Sequence, residues 1–172
     1  MIVRRGRMCG CKAASIRKGA MERGTRMKLV VIDGQGGGVG KSLVAALKAR
    51  MPGQKIIALG TNVQATSAML RAGADAGATG ESAIRYQCKS ADIIMGVTGI
   101  LHANAMLGEI SPGIAAAVSL SEAQKVLVPM ERCGLSIAGV GRQPLDSLIR
   151  QAADLACDLC LPQQTGKEGN KL

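Results

Sequence analysis

Apolar residues form short continuous runs along the chain, and these alternate with stretches that repeat at the helical spacing. Five runs are predicted strands: 29–33, 55–59, 91–95, 125–128 and 135–140. Five intervals are predicted helices: 41–50, 61–71, 81–88, 111–120 and 144–159. Unbroken strands separated by amphipathic helices predict a Rossmann-like, doubly wound α/β fold, with a mainly parallel sheet covered by helices on both faces. Residues 74–80 are interpreted as a linker, and 96–110 as a glycine-punctuated stretch with helical turns.

The first 26 residues differ from the rest of the chain in charge. They hold eight of the 22 Lys and Arg residues and one of the 12 acids, so most of the net charge of +10 lies there. One interpretation is a basic arm for RNA or acidic partners. The other, which we favour, is a region upstream of a natural start at Met27. We expect 1–26 and 161–172 to be disordered, and 27–160 to form a single domain.

Composition narrows the function classes. The part of the chain after residue 26 is nearly charge-balanced, and Tyr86 is the one aromatic residue in the sequence, which argues against nucleic-acid binding. No apolar run reaches the roughly 18 residues of a membrane span. Six cysteines without an export signal predict reduced thiols and a cytoplasmic location. A Met- and Ala-rich surface leaves a homodimer open.

The glycine-rich turn at 33–42, Asp-Gly-Gln-Gly-Gly-Gly-Val-Gly-Lys-Ser, lies between the first predicted strand and helix. Glycine lets the backbone approach a ligand, and the start of a helix favours an anion. Thr61 and Asn62 follow the second strand at the same sheet edge, where they are placed to read a ribose or base, or to cap a helix. We therefore predict a nucleotide- or phosphate-binding site. Its residues are Asp33, Gly34, Gln35, Gly36, Gly37, Gly38, Gly40, Lys41, Ser42, Thr61 and Asn62.

The turn matches none of three known nucleotide-binding loop patterns completely. The phosphate loop of nucleotide triphosphatases fits at its end, Gly40-Lys41-Ser42, but its first glycine falls on Gln35. The dinucleotide loop Gly-x-Gly-x-x-Gly fails at Val39. The short-chain dehydrogenase spacing fits the glycines, but the acid expected after the second strand and the Tyr-x3-Lys pair are absent. The cofactor stays open between NAD(P) and a purine nucleotide.

No reaction follows from these matches. An NAD(P)-dependent reductase-like enzyme, a P-loop-like NTPase and a ligand-free interaction module all remain alternatives. In the last case the glycines serve only to pack the strand against the helix. Asp33 is a difficulty for any phosphate site, because a carboxylate repels bound phosphates unless it meets a ribose, an amine or a metal.

Several separated segments resemble one family in the order in which they occur. They are 32–41, 58–62, 65–70 and 77–81, with further likeness at 104–109 and 144–145. Together they are similar to a bacterial family catalogued as domain of unknown function 3842, over about 27–153. The resemblance supports Met27 as the natural start and implies no particular reaction.

Other candidate residues lie outside the turn. His102, the single histidine, follows the third predicted strand with Asn104 and Glu109, so any imidazole-based step must use it. Residues 79–81 form a loop that either folds over the ligand or starts a helix. Cys157 and Cys160 form a Cys-x-x-Cys pair at a helix end, where a zinc site would need Cys9 and Cys11 as well. Cys88 and Cys133 are predicted to be buried hydrophobes.

Overall fold

The computed structural model describes residues 27–130, 135–141 and 143–160. Both predicted tails lie outside these residues, as do Cys9, Cys11 and Cys133, so the expectations about them stay predictions. No helix among the described residues has the length and apolar character that crossing a membrane requires.

One five-stranded parallel sheet forms the centre of the structure. Its strands are β1 (Leu29–Asp33), β2 (Ile56–Gly60), β3 (Ala76–Thr79), β4 (Ile93–Val97) and β5 (Gln124–Val128). They lie in the order β3-β2-β1-β4-β5, and every neighbouring pair is parallel. All five residues of β1 and of β4 are buried, which explains why these strands read as continuous apolar runs.

Within the described ranges, five α-helices pack around the sheet in two groups. They are α1 (Gly38–Arg50), α2 (Val63–Arg71), α3 (Glu81–Cys88), α4 (Pro112–Leu120) and α5 (Leu145–Cys160), and a short 3₁₀ helix spans Thr98–Leu101. Helix α1 packs against α2 and α5, whereas α3 packs against α4. Strands and helices alternate along the described chain, and every neighbouring pair of strands is parallel. The predicted Rossmann-like α/β fold is therefore confirmed.

Two secondary-structure predictions were wrong. The segment interpreted as a linker contains strand β3, whose Ala-Gly-Ala-Thr sequence lacks the branched residues typical of strands. Gly77 instead packs tightly on α2, since a Cβ there would lie 2.9 Å from side-chain atoms of Leu70 and Thr66. The predicted strand at 135–140 is irregular backbone with a turn, in which Gly139 has φ +84° and Val140 N–H bonds to the carbonyl of Ile137.

Helix α1 begins three residues earlier than the sequence pattern indicated. Gly37 precedes it with φ +69°, and its carbonyl accepts the Lys41 N–H at 2.9 Å, which is the first hydrogen bond of the helix. The first turn of α1 therefore consists of residues of the glycine-rich turn itself. This geometry sets the position of the turn relative to the end of β1.

Candidate functional site

A cavity of about 280 Å³ lies at the carboxyl ends of β1 and β4. The strand order reverses at this point: β2 and β3 lie on one side of β1, whereas β4 and β5 lie on its other side. In open α/β sheets, ligands bind at this switch point. Much of the cavity wall is apolar, with contributions from Val39, Val97, Ala105, Met106, Met130 and Leu145, and its polar side chains come from Asp33, Gln35 and His102.

Asp33 ends β1 and is buried at the cavity wall. Its Oδ1 accepts the N–H of Gly34 at 2.9 Å, and its Oδ2 accepts the N–H of Gly40 at 2.6 Å. Burial raises the pKa of Asp33, and the negative charge of Glu109 raises it further, whereas the N–H groups of Gly40 and Gly34 favour the charged form. An internal carboxylate therefore takes one N–H of the first turn of α1, where a ligand phosphate was expected.

Glu109 lies on the other side of the turn and joins it to the end of β2. Its Oε2 accepts hydrogen bonds from the Gln35 N–H at 2.7 Å, the Thr61 hydroxyl at 2.5 Å and the Asn62 amide at 3.1 Å. Burial raises the pKa of Glu109, but these three donors outweigh that effect and hold it below its usual range. Thr61 and Asn62, which were predicted to read a ribose or base or to cap a helix, thus contact a carboxylate of the chain itself.

Asn62 serves two structural roles as well. Its Oδ1 accepts the Ala65 N–H at 2.9 Å and so caps α2, and its Nδ2 donates to the Gln35 carbonyl at 2.9 Å. Gln35 has φ +49°, a left-handed conformation that costs a non-glycine residue on the order of 1 kcal/mol. The hydrogen bonds from Asn62 and to Glu109 hold its backbone there, with the residue exposed at the cavity.

Three glycines of the turn are required by packing. A Cβ at Gly34 would lie 2.7 Å from Met106 Sδ and 2.8 Å from Glu109 Oε2. Gly37 combines its positive φ with a Cβ position 2.7 Å from Ala65 Cα. A Cβ at Gly40 would lie 2.7 Å from Asp33 Cβ. Contacts within the protein therefore account for these three glycines without a ligand.

Gly36 and Gly38 have no such explanation. Both are exposed, both line the cavity, and neither has a positive φ. A Cβ at Gly38 would meet no atom within 4 Å, and one at Gly36 would meet only Gln64 Nε2 at 3.9 Å. Within the ranges that the structure describes, no backbone group accepts either N–H. At the cavity wall, the turn thus has two exposed residues whose backbone N–H groups bond to no described backbone group.

The remaining residues of the predicted site divide between cavity and surroundings. The cavity wall includes Asp33, Gly34, Gln35, Gly36 and Gly38, but none of the other six predicted residues. Lys41 is exposed on the first turn of α1, and the Ser42 hydroxyl donates to the Gly38 carbonyl at 3.1 Å. Sequence reasoning missed the apolar wall, since residues such as Met130 and Leu145 carry no local sign of lining a cavity.

The other candidates differ in how they relate to the cavity. His102 is exposed and lines it, whereas Thr79 forms a 2.6 Å hydrogen bond with Thr66, and Glu81 accepts the Ser111 hydroxyl at 2.7 Å. Thr79 ends β3, Gly80 precedes α3 and Glu81 begins it, so residues 79–81 are a helix start, as one of the two predictions had it.

The three cysteines that the structure describes show no sign of activation. Burial raises the pKa of Cys157 and of Cys160, and it raises that of Cys88 to about 11. Among the described residues, no group of three or more His, Cys, Asp or Glu side chains is placed to hold a metal ion.

Comparison with known proteins gives a family and little else. A search of curated proteins finds no match. Among solved structures, the crystal structure of AibC is similar at 18% sequence identity with a TM-score of 0.36. The match covers 88% of this chain and 48% of that one, so the chain spans about half the length of that protein. The model of domain of unknown function 3842 matches residues 28–160, and the chain belongs to this family.

Proposed function

We propose that the chain binds a small nucleotide-type ligand in the crevice between β1 and β4, with its phosphate at Gly36 and Gly38. The observation that carries the proposal is the contrast among the glycines of one turn. Packing accounts for Gly34, Gly37 and Gly40, but Gly36 and Gly38 are exposed at the cavity. In the part of the chain that the structure describes, a Cβ at Gly38 would meet no atom within 4 Å, and one at Gly36 would meet only Gln64 Nε2 at 3.9 Å. Bare backbone with unbonded N–H groups at a helix start is suited to an anionic group.

The size of the cavity supports a mononucleotide over a dinucleotide. A volume of about 280 Å³ lies just below the range of roughly 300–1,000 Å³ for ligand pockets and suits one ring system. The adjoining edge over β2, which would hold the second half of a dinucleotide, is closed by Glu109 on Thr61 and Asn62. The proposal is therefore a ring inside the cavity and a phosphate at its mouth, near the exposed Lys41.

A thermal-shift titration with matched variants tests this proposal. Purine mononucleotides, NAD and NADP are titrated against the wild-type protein and Gly38→Leu. A ligand that binds only the folded state raises Tm with concentration. Gly38→Leu should fold, because a Cβ at this position meets no atom, but its side chain obstructs the approach of a phosphate.

The control is Ala49→Leu, which adds a larger side chain at an exposed position near the other end of α1. We expect a mononucleotide to raise Tm for the wild-type protein and for Ala49→Leu, and to have little effect on Gly38→Leu. An equal shift for all three proteins would refute a phosphate at Gly38. A shift with NAD or NADP but with no mononucleotide would refute the mononucleotide preference, and no shift with any nucleotide would refute the proposal itself.

A further inference from the structure

Asp33 is a buried carboxylate without a cationic partner among the described residues. Only 5% of it is exposed, yet it lines the cavity. The ion pairs within the described ranges join Lys48 to Asp75, Arg50 to Asp154 and Arg85 to Glu81, all of them away from this site. A carboxylate is costly to bury unless hydrogen bonds and a counter-charge compensate it. The N–H groups of Gly34 and Gly40 supply hydrogen bonds, and nothing described supplies the charge.

The carboxylate also retains capacity to accept hydrogen bonds. An ionised carboxylate has about four acceptor positions. The N–H groups of Gly34 and Gly40 use one on each oxygen, and the Val39 N–H also favours the charged form, so at least about one position stays open. Glu109 adds a second negative charge nearby, which also favours a positively charged or hydrogen-bond-donating group at Asp33. His102, at the cavity wall, is exposed to solvent. The inner end of the cavity therefore combines an apolar wall with an acceptor-only polar group.

We infer that the part of the ligand entering this cavity carries N–H donors or a positive charge, as an amidinium or ammonium group does, and that it pairs with Asp33. This inference names the ligand class for the crevice and rests on the proposed function only in taking the cavity as a ligand site. Anionic groups are kept from the inner end by Asp33 and remain at Gly36 and Gly38. A nucleotide fits this description when its base presents N–H groups to the carboxylate.

Three ring compounds of one shape test the charge preference without any mutation. Benzamidine is cationic, benzamide is neutral and benzoate is anionic, and each has a ring small enough for a cavity of about 280 Å³. Binding to the wild-type protein is followed by NMR chemical-shift changes at millimolar concentration. Because hydrogen bonds between charged groups are the stronger ones, we expect benzamidine to bind about tenfold more tightly than benzamide. Benzoate should not bind.

Two variants test whether benzamidine binds in the cavity and pairs with Asp33. Asp33→Asn should reduce benzamidine binding to the level of benzamide, with folding checked by thermal unfolding. Val39→Phe places a ring at the cavity wall, leaves the carboxylate intact and should weaken all binding, whereas Ala49→Leu should leave it unchanged. If Asp33→Asn does not fold, the wild-type comparison together with Val39→Phe still decides the matter.

The inference is overturned if benzoate binds as well as benzamidine, if none of the three compounds binds, or if benzamidine binding survives Asp33→Asn or Val39→Phe. The nucleotide titration and the benzamidine comparison test separate claims, so one can fail without the other. Nucleotide binding without a preference for benzamidine contradicts only the pairing with Asp33. Benzamidine binding without nucleotide binding contradicts only the phosphate at Gly36 and Gly38.

Discussion

The two sides of β1 use the same sheet edge in opposite ways. On the β2 side, Glu109 accepts three hydrogen bonds from Gln35, Thr61 and Asn62, and the edge is closed by contacts within the protein. On the β4 side, Asp33 lies at a cavity with a largely apolar wall, next to Gly36 and Gly38, which are exposed among the described residues. The difference teaches that polar residues at the carboxyl ends of strands do not by themselves indicate a ligand site.

The pKa values of the two carboxylates are shifted in opposite directions. The donors around Glu109 hold its pKa below the usual range, whereas burial holds the pKa of Asp33 above it. Hydrogen bonds within the protein thus offset the burial of Glu109, whereas the described donors offset the burial of Asp33 only in part. An uncompensated polar group at a cavity is the feature that favours a ligand.

The largest expected effect is the difference in stability between alanine variants of two adjacent glycines, Gly37 and Gly38. Gly37→Ala should lower the free energy of unfolding by roughly 3 kcal/mol, because the alanine needs a positive φ and its Cβ meets backbone of α2. Gly38→Ala should raise it by about 0.4–1 kcal/mol, since the position has room and alanine restricts the unfolded chain. Urea denaturation measures both. Equal destabilisation would show that packing accounts for Gly38 as well.

The closed side is tested by removing its carboxylate. Glu109→Ala should lower the free energy of unfolding by about 2 kcal/mol, because three donors lose a charged acceptor. Hydrogen exchange at the Gln35 amide should become faster in this variant. Thr61→Val, which removes one of the three donors, should cost about 1 kcal/mol and serves as the graded control. Unchanged exchange at Gln35 would contradict the role of Glu109 in closing this edge.

The two carboxylates should affect the pH dependence of stability with opposite signs. The folded pKa of Asp33 is raised, so its contribution is greatest when it is protonated and falls as pH rises above its ordinary value of about 3.9. The folded pKa of Glu109 is lowered, so its contribution is lost as pH falls below its ordinary value of about 4.3.

Denaturant unfolding at several pH values between about 3 and 6 measures these contributions. The stability advantage of the wild-type protein over Glu109→Gln should grow with pH, and its advantage over Asp33→Asn should shrink. Slopes of the same sign in both comparisons would contradict the contrast between the two sides.

The smallest effect on stability is expected at Lys41. Lys41→Ala should change the free energy of unfolding by less than about 0.5 kcal/mol, because the side chain is exposed on the first turn of α1. If a phosphate binds at Gly36 and Gly38, the same variant should weaken nucleotide binding, and the loss should be smaller at high salt. Arg71→Ala, at an exposed position on α2, is the control for a lost surface charge.

Parts of the fold could be predicted from neighbouring residues alone. The helix at Glu81–Cys88 was predicted with the bounds that it has, and Asn62 and Ser111 cap their helices through side-chain oxygens as such residues commonly do. Strand β3 could not be predicted, because its small residues form a strand only through pairing with β2 and packing on α2. The short, mainly apolar run at 135–140 predicted a strand, but the backbone turns there.

The sequence by itself determined the alternation of strands and helices, the Rossmann-like fold and the position of the glycine-rich turn after β1. Periodicity and capping depend on residues a few positions apart, so they can be read locally. Only the tertiary structure decided which glycines pack and which stay exposed, and that Glu109 meets Gln35, 74 positions away. Such contacts depend on the path of the whole chain, and no short segment of sequence records that path.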